Sequence, residues 1–516
     1  MTSPSSSTKA VAEHVSSQSI HVPTEDHDAI KPGRTSHTGA RPGFEPLEEG
    51  LAPAYDNAQD SDMPPPPDGG YGWVCTLCVF LVNANTWGVN ASWGIFLDRY
   101  LAWDTFPEAT RFEYAMIGGL SISQALLISP VVAASQRYLG TRYTMLLGSF
   151  VIFAGLFSAS AASRIWQLFM SVALCFGWGM GLVYIPAMAL LPPWFSSRRS
   201  LALGFATSGA GLGGLAYSLI TGRLIAVSGP AWTWRVLSIT SLVANVICSL
   251  ALRESPATTN TNTTTHPRRS VFNPRTLAQT QIILVLCWGF LTEFGYVALW
   301  YSLPSYATSI GLVPAQGAVV QAVLSLGLGF GRPVVGYYSD RVGRINMALG
   351  MTLFCGVLCL TLWTLARSYA GLLAFAALAG VVSGTFWSTV NPVLAEVVGL
   401  ADAGTTFGAV CFALVLPTTF AEAVALQLVQ GGSPSGATTG SFLPSQVFVG
   451  LMFLTGAAAL SLLRSWKIDD IERARAQVGG GGGNRRFDEI VGGGGSASVS
   501  AVVWWAPQRM FMPKRV

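Results

Sequence analysis

Beginning at Trp73, apolar runs of about 20 residues follow one another down the chain, and a helix of that length rises about 30 Å, the thickness of a bilayer's hydrocarbon core. In lipid, backbone N–H and C=O groups have no water to bond, so each run must satisfy them internally as a helix. The runs lie at 73–97, 113–134, 143–162, 166–190, 201–222 and 235–252, then at 279–301, 314–337, 346–365, 370–395, 405–429 and 445–463. The expected fold is an all-α integral membrane protein with twelve transmembrane helices in two six-helix pseudo-repeats. Composition agrees: 51% of the 516 residues are hydrophobic and 11% are charged, where soluble domains carry about 25% charged residues.

The runs also divide the chain. Residues 1–67, rich in Ser, Thr, Pro and acids and closing on Pro64–Pro67, cannot bury enough apolar surface to fold and read as a disordered N-terminal tail. Residues 68–252 form the first six-helix half, 253–278 a polar central loop containing TTNTNTTTHPRR, and 279–463 the second half. Residues 464–516, with glycine runs at Gly479–Gly483 and Gly492–Gly495, read as a flexible C-terminal tail. The polar start does not offer the apolar core of a cleavable signal. In the connections, Arg137, Arg142, Arg198, Arg199, Arg341, Arg344, Arg464 and Lys467 fall on the side of the central loop, against Arg99, Arg111, Arg164 and Arg367 on the other. By the positive-inside rule both termini and the central loop are expected in the cytosol, in a multi-pass protein of the plasma membrane. The sequons at Asn90 and Asn262 then fall in a span and in a cytosolic loop, where no glycan is expected.

Residue placement excludes other classes of function. A net charge of +4, scattered along the chain, gives no basic face for nucleic acid. All eight cysteines lie in apolar runs and read as small hydrophobes, and the C-x-x-C of Cys75 and Cys78 has no second pair or histidine nearby. The histidines, His14, His21, His27, His37 and His266, sit in polar segments. No metal, cofactor or catalytic constellation is therefore expected in the spans, and the chain does not read as an enzyme. GAGLGG, Gly209–Gly214, has the spacing of a dinucleotide loop, but it continues an apolar helix, with no preceding strand and GPAWTW where a ribose-binding acid would stand. Its glycines, with Gly204 and Ser208, read as a seam for close helix packing, and Gly177 with Gly181 and Gly380 with Gly384 repeat the device. The expected partners are the lipid bilayer and a small organic solute, with or without a proton.

Two sets of motifs carry a resemblance. GYYSDRVGR, residues 336–344, is similar to the G-x-x-x-D-R-x-G-R loop of the major facilitator superfamily, and SQRYLGTR, Ser135–Arg142, looks like a degenerate copy. The resemblance implies a conformational clamp at Asp340, Arg341, Gly343 and Arg344, with the aspartate on a helix terminus or arginine and the arginines on the partner half. DGGYGW, Asp68, Gly69, Gly70, Tyr71, Gly72 and Trp73, resembles the first-span signature of the monocarboxylate transporter family, and WFSSRRSLALGFATSGAGLGG, Trp194–Gly214, resembles its fifth-span signature. The resemblance covers residues 68–463 and is closest in character to fungal-type members, with their polar first span and long tails. It implies secondary transport by two rocking halves around a central site. RPVVG, Arg332–Gly336, fits the family's anion-binding pattern, whereas Asn90 or Ala91 stands where proton-coupled members carry a lysine, and Leu328 where they carry an aspartate. Weak pH dependence is therefore expected unless Glu293 takes over.

Ionisable residues in hydrocarbon are costly unless they face a cavity or a partner. Arg332 is about five residues, ~7 Å, from the cytosolic end of its span, so it either binds a carboxylate or snorkels. Glu293 is a coupling candidate, or else a hydrogen-bonding residue between helices; Glu422 reads as structural. Asn83, Trp87 and Asn90, at i, i+4 and i+7, share one face of an ideal helix and are expected to line a central cavity with Asn391. Together these residues point to a transporter of a small organic anion or carboxylate-bearing metabolite. Export of a secondary metabolite, transport of another solute such as a flavin, or a non-transporting nutrient sensor are the alternatives.

Overall fold

Backbone groups that find no partner in lipid bond within their own helix, and the described chain is accordingly helical from end to end. This computed structural model describes residues 67–106, 109–255, 277–429 and 442–479. The N-terminal tail to residue 66, most of the central loop and the chain beyond 479 lie outside them.

The N-terminal part of the chain contributes α1 (Tyr71–Leu97), α2 (Arg111–Leu127), α3 (Ser129–Leu139), α4 (Thr141–Ala159), α5 (Ile165–Trp194) and α6 (Arg199–Ala251). The C-terminal part contributes α7 (Thr280–Ser309), α8 (Pro314–Val342), α9 (Arg344–Trp363), α10 (Tyr369–Val398), α11 (Asp402–Ala421) and α12 (Leu443–Gly479). Among the described residues, ten helices are long and apolar enough to cross a membrane, or eleven if the pair from α2 and α3, bent by 44°, is one span. The bend falls at Pro130, whose ring favours the first turn of a new helix. Buried hydroxyls are satisfied locally: Thr76, Thr86, Ser149 and Thr207 each donate to the carbonyl four residues earlier.

Two segments differ from their expected form. Residues 223–234 are not an open connection: α6 runs 53 residues and breaks only at Gly229, where φ is 78°, a left-handed conformation open to glycine, followed by Pro230. At the far end, α12 continues through 464–479, where a flexible tail is expected. Ion pairs at helical spacing hold that extension, Asp469 to Arg473 and Lys467 to Asp470, and Lys467 Nζ also donates to the Glu396 carbonyl at 2.9 Å.

The glycines of GAGLGG divide between two neighbours. Gly209 meets the Phe80 carbonyl and Gly213 meets Ala84, both on α1, whereas Gly211 lies against Ser325 and Gly329 on α8. Gly204 and Gly336 extend the α6–α8 contact, the first against the Arg332 carbonyl and the second against that of Ser200. α6 is thus pinched between α1 and α8, main chain on main chain. A Cβ on Gly88 would stand 2.7 Å from the Gly213 carbonyl carbon and 2.9 Å from the Gly214 nitrogen, backbone atoms that cannot swing aside. Gly88→Val is expected to abolish monodisperse protein in size-exclusion chromatography of detergent extracts, an overpacking cost of ~3 kcal/mol or more. Gly94→Val, with nothing within 4 Å, should leave the elution profile intact. Equal behaviour of the two variants would remove the packing role from this seam.

Candidate functional site

At the arginine-rich end, the DGGYGW stretch turns back onto the segment before α6. Asp68 sits at φ 51° and Gly70 at φ 59°, and this turn lets the Asp68 N–H donate to the Trp194 carbonyl at 3.1 Å. The Asp68 carboxylate accepts from the Ser196 and Ser197 amides at 2.5 and 3.0 Å. Gly72 leaves room for Trp194 and Phe195, and the ring of Trp73 stands 5.2 Å from that of Phe195. Tyr71 donates its hydroxyl to the Ala251 carbonyl at 2.7 Å, and the Arg253 guanidinium lies 4.6 Å over its ring. The stretches 68–73 and 194–199, far apart in sequence, are the two sides of one contact.

The charged motif expected as a loop is instead the last turn of α8, Gly343 and the start of α9, and it closes on the same place. Asp340 accepts from the amides of Ser200 at 3.0 Å and Leu201 at 2.9 Å, so a carboxylate from the C-terminal part caps the N-terminus of α6. Its negative charge meets the free N–H groups and the positive end of the helix dipole. Arg344 pairs with Asp340 at 3.5 Å and with Glu396 at 3.0 Å, and donates to the Ser196 carbonyl at 3.0 Å. Ser196 therefore joins the two motifs: its N–H is held by Asp68 and its C=O by Arg344. Gly343, at φ 110°, makes the turn into α9. Arg341 goes elsewhere than expected. Helical spacing carries its guanidinium over the Tyr337 ring at 4.2 Å, on its own helix.

Arg332 lies halfway along the same α6–α8 contact. α8 continues ten residues past it to Val342, so its Cα is about 15 Å from the helix end. The side chain is 4% exposed and does not snorkel: Nη1 donates to the Thr207 carbonyl of α6 at 2.6 Å, while Nε has no hydrogen-bond partner. The Nε and Nη2 edge faces Gly384 of α10, where a Cβ would stand 2.7 and 3.1 Å away. Glu293, 2% exposed on α7, interacts with the Trp387 side chain and feels the Arg332 charge; its Oε2 has no partner. Tyr296 is a hydrogen-bonding neighbour of Arg332, and Tyr184 lies within the electrostatic reach of Arg332 and Glu293. Leu328, buried, packs between Gly211 and Gly384.

Of the residues singled out in the sequence, Arg332, Glu293 and Trp87 come together. The Trp87 ring stands 5.3 Å from Tyr184 and 6.1 Å from Trp387. Asn83 also turns toward α5, reaching the Met188 sulfur at 3.9 Å, but donates to its own Val79 carbonyl at 2.9 Å. Asn90 points to α2 and accepts from Ser121 at 2.6 Å. A π-helical turn at Ala84–Gly88 explains the parting, because it widens the helix and shifts the phase on which i, i+7 relies. Asn391, one turn beyond Trp387, is buried with Nδ2 unpartnered. Glu422 lies on the helix Val415–Gln427, its side chain outside the described residues. Tyr184, Tyr296 and Trp387 escape a search for charged groups; the spacing of Trp387 one turn before Asn391 could have found the last. No group of three or more His, Cys, Asp or Glu side chains gathers as a metal site among the described residues.

Known proteins share this architecture. A Major Facilitator Superfamily profile matches residues 75–421. The uncharacterized transporter ESBP6 of Saccharomyces cerevisiae is 30% identical over 477 residues, which cover 88% of this chain and 70% of that protein. "Probable transporter MCH2" of the same yeast is 31% identical over 411 residues, 78% and 84% of the two chains. Among solved structures, the proton:xylose symporter XylE bound to 6-bromo-6-deoxy-D-glucose aligns with a TM-score of 0.59 at 15% identity, over 75% of this chain and 94% of XylE.

Proposed function

This chain belongs to the Major Facilitator Superfamily and is a membrane-embedded transporter, not an enzyme; from that premise we propose that it carries a small organic anion or carboxylate-bearing metabolite by alternating access. Reading α2 with α3 as one bent span and α6 as two spans parted at Gly229 gives twelve, six on each side of the central loop. Two halves then rock about the contact made by α6 and α8. The docking of 68–73 onto 194–199 supports a place near the monocarboxylate transporter branch, since both of that branch's motifs serve one contact.

Arg332 carries the substrate assignment. It is a buried guanidinium at the junction of the halves, with a hydrogen-bonding edge that Thr207 does not use. That edge matches the two oxygens of a carboxylate. The test is uptake into vesicles holding the purified full-length protein, for a panel of organic acids and their neutral amides. Preference for acids supports the reading, and equal flux of each acid and its amide defeats it.

Because Leu328 is apolar, proton handling falls to Glu293. An inward pH gradient is expected to drive accumulation through the native protein, and Glu293→Gln to reduce it to the level seen without a gradient. Accumulation that survives this change assigns the coupling to another group.

The arginine-rich end faces the cytosol of the plasma membrane in this reading. With the native cysteines replaced by alanine, an impermeant thiol reagent on intact cells should label Trp103→Cys, 52% exposed, and spare Tyr138→Cys, 82% exposed at the other end. The reverse pattern would invert the orientation.

A further inference from the structure

The centre of the molecule is crossed by aromatic rings. Trp87 on α1 and Tyr184 on α5 belong to the N-terminal part, Trp387 on α10 and Phe407 on α11 to the C-terminal part. Trp87 stands 6.1 Å from Trp387, and Tyr184 stands 6.2 Å from Trp387 and 6.5 Å from Phe407. Phe386 extends the group, edge-on to Trp387 at 5.2 Å. Where α6 meets α8, by contrast, Gly204, Gly211 and Gly336 bring main chain close to main chain. The aromatic group also meets the charges: Trp387 interacts with Glu293, and Gly384, one turn before it, abuts the Arg332 guanidinium.

Contacts that cross the junction must be broken whenever the halves part. Rings separated in that way lose apolar cover, and Tyr184 and Trp387 also lose their edge-to-face contact; a ligand that restores ring contacts stabilises the parted arrangement selectively. An aliphatic acid of equal charge covers the surface but offers no π face. We infer that the transported anion carries a planar aromatic body, seated between Trp87 and Trp387 with its carboxylate toward Arg332. The inference rests on the reading of Arg332 as an anion ligand.

The probes are phenylacetate, cyclohexylacetate and phenylacetamide, titrated calorimetrically into the detergent-purified full-length protein. The two acids share charge and carbon skeleton and differ in the flat ring; the amide keeps the ring and drops the charge. Phenylacetate is expected to bind about tenfold tighter than cyclohexylacetate, the worth of one or two good ring contacts. Trp387→Leu should erase that ratio while the preference for acid over amide persists, and Trp387→Phe, which keeps a ring, should retain most of it. Trp87→Leu gives an independent reading if Trp387→Leu fails to fold. Equal binding of the two acids to the native protein, or a ratio untouched in folded leucine variants, overturns the aromatic assignment alone. Equal binding of phenylacetate and its amide, or binding of none of the three probes, overturns the anion reading and this inference with it.

Discussion

Arg332→Gln should weaken binding of an organic anion more than a hundredfold, and Arg332→Lys by about tenfold or more. Removing one partner of a buried charge pair costs about 3–5 kcal/mol, and lysine keeps the charge but loses the planar fork that pairs with both carboxylate oxygens. The geometry sharpens the difference. Arginine can spend Nη1 on the Thr207 carbonyl and still keep Nε, which has no hydrogen-bond partner, for a ligand, whereas a single ammonium cannot serve both directions. Binding of an acid and its methyl ester should be compared at matched amounts of folded protein. If Arg332→Gln weakens both equally, or neither, the residue is a strut between α6 and α8 and the organic-acid assignment loses its chemical support.

Asp340→Asn is expected to open the arginine-rich end. The native carboxylate accepts from two amides at the start of α6, and hydrogen bonds to a charged group contribute roughly 1.5–3 kcal/mol each. A neutral amide keeps part of that and none of the interaction with the helix dipole, so the closed arrangement should lose about 2–4 kcal/mol, a shift of at least thirtyfold in the ratio of closed to open forms. Ser200 is wholly buried there, and a cysteine in its place should be protected from alkylation in the native background. It should react at least about tenfold faster beside Asp340→Asn. An unchanged rate would mean that the Arg344 links to Glu396 and Ser196 hold this end without the cap.

Long-period hydropathy made the helices legible, because a hydrocarbon slab imposes a length on every segment that crosses it. It could not show where a helix runs on past the apolar stretch or bends without a polar gap, which is why the break at Gly229 and the extension through 464–479 differ from their expected form. For the candidate site, charge directed the reading: Arg332 and Glu293 stand out in apolar runs because ionised groups there are costly, and both are buried, with Glu293 within reach of the Arg332 charge. The asparagines were less legible. Their reading assumed an uninterrupted 3.6-residue period, and no residue type in ANTWG announces a π-helical turn. The aromatic members were hidden for another reason: Tyr184 and Trp387 are unremarkable in a membrane helix until the fold sets them across from one another. The contact between the segments at 68 and 194 had no signal in either segment alone.

Where α6 meets α8, glycines of each helix lie against the other's main chain, beside the side chains of Leu212 and Leu328, and this has a thermodynamic side. Ordinary interfaces freeze rotamers as they form and release them as they part, so each motion carries an entropic toll that varies with the residues involved. Glycines have no side-chain rotamers to freeze. Sliding or parting along Gly204, Gly211 and Gly336 therefore changes the disorder of the chain little, and the balance between arrangements is left to the few polar groups at its ends and middle, Asp340, Arg344 and Arg332. Under the proposed alternating access, a contact balanced in this way would respond to small inputs, and the differential binding of one modest solute would be enough to tip it.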